Sequence, residues 1–73
     1  MPEKWTGELI GEMHNQRVTY DDIAGELGVT KAYVSMVLNG RRKPAGIKER
    51  MQAALTAIVE RRGGAVSELL KEE

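Results

Sequence analysis

One histidine and no cysteine among 73 residues leave little material for covalent or metal chemistry. A thiolate or paired-imidazole zinc site, a disulfide and a nucleophile–His–carboxylate set are all out of reach. His14 has no second His or Cys at ligand spacing and reads as an exposed residue near a helix end. No cofactor or metal is expected, and an enzyme is the weakest reading. What the chain does offer is charge and hydrogen bonding. The stretch from residue 30 to residue 43, TKAYVSMVLNGRRK, holds Lys31, Arg41, Arg42 and Lys43 and no acid, a local charge of +4. A surface built that way suits an anionic partner, phosphate above all, whereas a purely protein-binding face would not require it.

The whole chain nevertheless sums to zero, with eleven Lys plus Arg against eleven Asp plus Glu. Residues 1–15 carry −2, residues 16–50 carry +3 and residues 51–73 carry −1. Neutrality thus conceals a basic middle between acidic ends and does not argue against nucleic acid. At this size only about 60% of the unfolded surface is buried on folding, so one modest core must suffice or a second subunit must help. An apolar share of 41% against 30% charged residues is globular rather than disordered. The N-terminus MPEKWTGELIGE is too polar for a signal-peptide core and no long apolar run follows. A soluble, cytoplasmic protein with no membrane partner is expected.

The elements that must hold these residues are all helical, because apolar residues recur at 3.6-residue spacing and nowhere alternate for long enough to make a strand. Trp5, Leu9, Ile10 and Met13 form the stripe of a first helix from near Pro2 to Asn15 or Gln16, weakened by Gly7 and Gly11. Trp5 reads as core or as a lid over it. Thr19 followed by Asp22 at the third position is a capping signal, and Ile23, Ala24 and Leu27 mark the buried face behind it. Gly28 supplies a left-handed stop, and Val29 folds back on the core. Thr30 caps a third helix whose stripe is Val34, Val37 and Leu38, up to Asn39-Gly40. GRRKPAG, residues 40–46, is a loop, and Ile47, Met51, Ala54, Leu55 and Ile58 then define a fourth helix to Arg61 or Arg62. Gly63-Gly64 ends it. AVSELLKEE has the pattern of a short helix capped by Ser67, with Val66, Leu69 and Leu70 on its apolar side, or else of a frayed tail.

Residues 20–39 therefore have the spacing of a helix, a three-residue turn and a second helix. Residues 23–40, IAGELGVTKAYVSMVLNG, follow the pattern I-A-x-x-L-G-V-[ST]-x-x-x-V-S-x-[VI]-L-N-G. This segment resembles the helix-turn-helix of the Cro/cI-type (XRE-like) repressor family. The resemblance extends over residues 4–62, with a helix before the motif and one after it. VSMVLNG followed by IKERMQAAL is also similar to the lactose-repressor headpiece, but the full helix ahead of the motif favours the Cro/cI type. The resemblance implies an all-α, four- to five-helix lambda-repressor-like domain over residues 1–62, with residues 63–73 as tail or short helix. It also implies sequence-specific binding of double-stranded DNA by a homodimer of bacterial or phage type that regulates transcription, as a repressor. Half-sites would then lie roughly 34 Å apart. One departure stands at Tyr20, where many relatives carry Gln to brace the DNA backbone; a phenol still bonds a phosphate oxygen but gives no bidentate bracing.

In that arrangement the third helix enters the major groove. A helical wheel places Val34, Val37 and Leu38 on one side and Ala32, Ser35, Met36 and Asn39 on the other, flanked by Lys31 and Tyr33. The expected base-reading residues are Lys31, Ala32, Ser35 and Met36, with Ala32 and Met36 restricted to apolar contacts such as thymine methyls. The expected backbone contacts are Arg17, Tyr20, Thr30, Tyr33, Asn39, Arg41, Arg42 and Lys43. Arg41 and Arg42 serve either as phosphate clamps or as a bidentate guanine contact. Tyr33 divides evenly between DNA backbone and packing. The dimer surface falls either on Val66, Leu69 and Leu70 or on one side of the fourth helix. With no room for a separate ligand domain, no small-molecule ligand is expected. The rival reading is a protein-interaction module on the same fold, such as an antitoxin, an anti-repressor or a phage adaptor.

Overall fold

The computed structural model describes residues 3–63, and its regular structure is four α-helices: α1 (Lys4–Gln16), α2 (Tyr20–Leu27), α3 (Lys31–Leu38) and α4 (Ile47–Arg61). Among the described residues there is no β-strand, and no helix is long and apolar enough to cross a membrane. The short helix expected after Ser67, with Val66, Leu69 and Leu70, lies outside the described residues.

The start of α1 falls two residues later than Pro2 suggests. Glu3 remains extended, and its carboxylate accepts the Trp5 indole N–H at 2.7 Å while its carbonyl accepts the Thr6 hydroxyl at 2.6 Å. That bond satisfies the polar edge of Trp5, so the ring can be buried as part of the core. The other end of α1 closes without glycine. Arg17 sits at φ 58°, ψ 43°, the left-handed region, and the Val18 N–H reaches back to the Met13 carbonyl at 2.9 Å. This is the bond pattern of a glycine-ended helix, held here by an arginine at a cost of about 1–2 kcal/mol. Val18, carried inward by the turn, is buried.

The α2 start carries a full capping box: Thr19 Oγ1 accepts the Asp22 N–H at 3.1 Å and Asp22 Oδ2 accepts the Thr19 N–H at 2.9 Å. Each orphan donor is satisfied by the other residue. Gly28 ends the helix at φ 73°, with its own N–H and that of Val29 both on the Ala24 carbonyl. Thr30 then caps α3 by accepting the Tyr33 N–H at 3.1 Å.

The core draws on every helix. Leu9 and Met13 of α1, Ile23 of α2, Val34, Val37 and Leu38 of α3, and Met51, Leu55, Ile58 and Val59 of α4 are all buried in one cluster. Each such side chain contributes roughly 1.5–3 kcal/mol when fully withdrawn from water. α2 packs on both α3 and α4, and α1 closes against α4 and α3. Leu27 and Val29 are half-buried against this cluster rather than fully enclosed, because both lie at the turn where the helices diverge. Two polar side chains are buried among the apolar ones. Thr6 donates to the Glu3 carbonyl, and Glu12 accepts from Gln16 at 2.9 Å, so burial leaves neither uncompensated.

Candidate nucleic-acid interface

The helix α3 turns its apolar stripe inward, and that fixes what points out. Val34, Val37 and Leu38 are at most 1% exposed. The opposite side presents Lys31, Ala32 and Asn39 as exposed residues and Ser35 and Met36 as half-buried ones. Tyr33 is half-buried and packs against the core, so at least part of its ring serves α3 itself. On the outward side Asn39 Nδ2 donates to Ser35 Oγ at 3.2 Å, linking two residues one turn apart.

The helix ends in a tight reversal that delivers the basic loop. Gly40 adopts φ 81°, its N–H bonds the Val37 carbonyl at 3.1 Å, and the Arg41 N–H bonds the Met36 carbonyl at 2.8 Å. This paired closure favours a residue without a Cβ at Gly40 and sets the direction in which Arg41 leaves. Arg41, Arg42 and Lys43 are exposed. Among the described residues, none of Lys31, Arg41, Arg42 and Lys43 has a side-chain hydrogen bond or an ion pair. The loop then meets α4 through Gly46, again left-handed at φ 74°. Arg42, Lys43 and Lys48 share a hollow of about 210 Å3 with Trp5, Pro44 and Ile47 and with the acidic residues Glu3 and Glu49, neither of which forms an ion pair with them. Lys48 adds a cation there that the basic run at 41–43 does not include, since it belongs to the first turn of the next helix.

Arg17 and Tyr20 stand together elsewhere. Both line a hollow of about 510 Å3 at the corner between α1 and α2, with Ile10, Met13, His14, Val18 and Thr19. Arg17 is exposed and Tyr20 half-buried against the core. Thr30 is exposed at the start of α3, with its hydroxyl committed to the cap.

Arg61 and Arg62 are engaged differently, whereas the Arg50 side chain has no ion pair among the described residues. Arg61 donates to Glu26 at 2.7 Å. Arg62 donates to the carbonyls of Gln16 and Arg17, each at 3.2 Å, and pairs with Asp22 at 3.4 Å. One guanidinium thereby covers the end of α1, the start of α2 and the end of α4. The Thr19 backbone N–H holds the Asp22 carboxyl below the usual aspartate value against the opposing effect of desolvation, with further help from the Thr19 hydroxyl and Arg62. Arg61 does the same for Glu26 by hydrogen bond and charge. Sequence reading places Arg61 and Arg62 only as basic residues in a last turn. Their partners are 35 to 46 positions away, beyond any local signal.

Among the described residues no group of three or more His, Cys, Asp or Glu is placed to hold a metal ion. No protein-family model matches the chain, and neither a curated protein nor a solved structure matches it.

Proposed function

We propose that the protein is a sequence-specific DNA-binding regulator of the helix-turn-helix type, with α2, the turn at residues 28–30 and α3 as the motif. It acts as a homodimer and represses transcription. The observation that carries this reading is the unpartnered basic set of Lys31, Arg41, Arg42 and Lys43 on and just behind the outward side of α3. Four cations with no acid among residues 30–43 and no ion pair among the described residues leave charge that a polyanion can meet while releasing its own counterions. Lys31, Ala32, Ser35 and Met36 then face base edges. Thr30, Asn39, Arg41, Arg42 and Lys43 lie along the phosphate backbone, with Tyr33 at the margin of the contact and Arg17 and Tyr20 on a second phosphate track.

Titration of the protein into labelled random-sequence duplex, followed by fluorescence anisotropy at several salt concentrations, tests this. With about three phosphate contacts per protomer, a dimer gives a log–log salt slope of roughly −5. Absence of binding at low salt would replace the proposal with the protein-interaction reading.

A further inference from the structure

Resting on the DNA-binding reading, we infer that the outward side of α3 is complementary to the thymine of an A·T pair and recognises its O4 and methyl group together, with Asn39 as the residue that positions the reader. The argument begins at the bond from Asn39 Nδ2 to Ser35 Oγ. A helical serine ordinarily turns its hydroxyl proton onto the carbonyl one turn back, which would be that of Lys31. Here Ser35 Oγ is an acceptor, and its proton is donated to no group among the described residues. The amide of Asn39 occupies one lone-pair side of the oxygen, and the Ser35 O–H, without an acceptor among the described residues, is free to donate to a base. Asn39 Oδ1 accepts no bond among the described residues, and remains an acceptor beside that donor.

Ala32 lies three residues before Ser35, and Met36 is its neighbour on the same outward side, exposed and half-buried respectively. The ensemble is an acceptor, a donor and an apolar surface. In the major groove an A·T pair presents the adenine N6 donor, the thymine O4 acceptor and the thymine methyl in succession. A G·C pair also has an acceptor beside a donor, at O6 and N4, but has no methyl group. The apolar surface of Ala32 and Met36 beside the Ser35 hydroxyl therefore selects thymine.

The test selects a high-affinity duplex from a randomised pool with the full chain and then alters its thymines singly. Deoxyuridine removes the methyl and keeps O4, and at one thymine per half-site it should lower affinity about fourfold, the equivalent of one lost buried methyl. Replacement of that thymine by 5-methylcytosine, paired with guanine, keeps the methyl and replaces the acceptor with a donor; the loss should be about tenfold. Ser35→Ala should bring the thymine to 5-methylcytosine affinity ratio close to one. Asn39→Ala should shrink the same ratio while leaving the deoxyuridine response unchanged. Indifference of every thymine to deoxyuridine, measured on the unaltered protein, overturns the inference but not the DNA-binding reading, and so does a Ser35→Ala protein with an undiminished ratio. Failure to enrich or bind any duplex overturns both.

Discussion

At the C-terminal end of α4, Arg61 and Arg62 are held by Glu26, by Asp22 and by the carbonyls that end α1, whereas past the C-terminal end of α3 the side chains of Arg41, Arg42 and Lys43 have no partner among the described residues. The residue types are the same and the surroundings are not. Where carboxylates and carbonyls converge, a guanidinium is part of the scaffold and its charge is already answered. Where four cations in fourteen residues form no ion pair among the described residues, the charge is left for an outside partner to answer. The number of basic residues in this neutral chain is therefore a poor guide to nucleic-acid binding, and the number left unpaired is a better one.

Reversing the free charges should have the largest effect. The double variant Arg41→Glu, Arg42→Glu removes up to four phosphate contacts from a dimer and adds repulsion, so affinity for random duplex at low salt should fall on the order of a hundredfold or more. Its thermal unfolding should stay within about 0.5 kcal/mol of the parent, since no partner is lost. A large loss of stability would show that these arginines are scaffold too.

Arg62→Ala attacks the opposite region. It leaves two helix-end carbonyls without their donor and Asp22 without its ion pair. With the side chain partly exposed the destabilisation is discounted to about 1 kcal/mol, a fall of roughly 4–8 °C in Tm for a domain of this size. Random-duplex affinity at a temperature where both proteins are folded should not change. A selective loss of DNA binding would erase the contrast between the two ends.

Arg17 lies between the two cases, since its carbonyl belongs to the Arg62 clamp and its side chain is exposed beside Tyr20. Arg17→Gly should stabilise the fold by about 0.5–1 kcal/mol, relieving a left-handed residue that carries a Cβ against the entropy glycine adds to the unfolded chain. Chemical denaturation measures this, and anisotropy on the same protein shows whether the guanidinium also meets phosphate.

The smallest effect is that of pH. Because the Asp22 carboxyl titrates lower in the folded state than in the unfolded one, its stabilising contribution is present above about pH 4 and is lost as pH falls through the folded value. Tm should drop as pH falls below about 4, and Asp22→Asn should narrow that drop. An equal drop in both proteins would mean that the Asp22 interactions do not contribute.

Much of this scaffold is legible in the residues alone. Thr19 with Asp22, Thr30, Gly28 and Gly40 are local signals, and each sits at a helix end where a capping hydroxyl or a left-handed glycine is observed. The stripes at Leu9, Val34 and Met51 fix which sides are buried, and hence that Ala32, Ser35 and Met36 lie outward. Two kinds of feature are not legible. The turn at Arg17 uses a residue with no preference for the left-handed region; the burial of Val18 and the hold of Arg62 on the neighbouring carbonyls decide it, and both depend on tertiary contact. The Ser35–Asn39 bond escapes as well, because a four-residue spacing permits such a pair without requiring it.

Backbone amide NMR of the full chain during titration with random duplex at low salt tests the contrast most directly. The account predicts progressive shifts in residues 30–43 and none in the side-chain Nε–H signals of Arg61 and Arg62. Shifts centred on Arg61 and Arg62 with residues 30–43 unmoved, or no shifts anywhere, would contradict it.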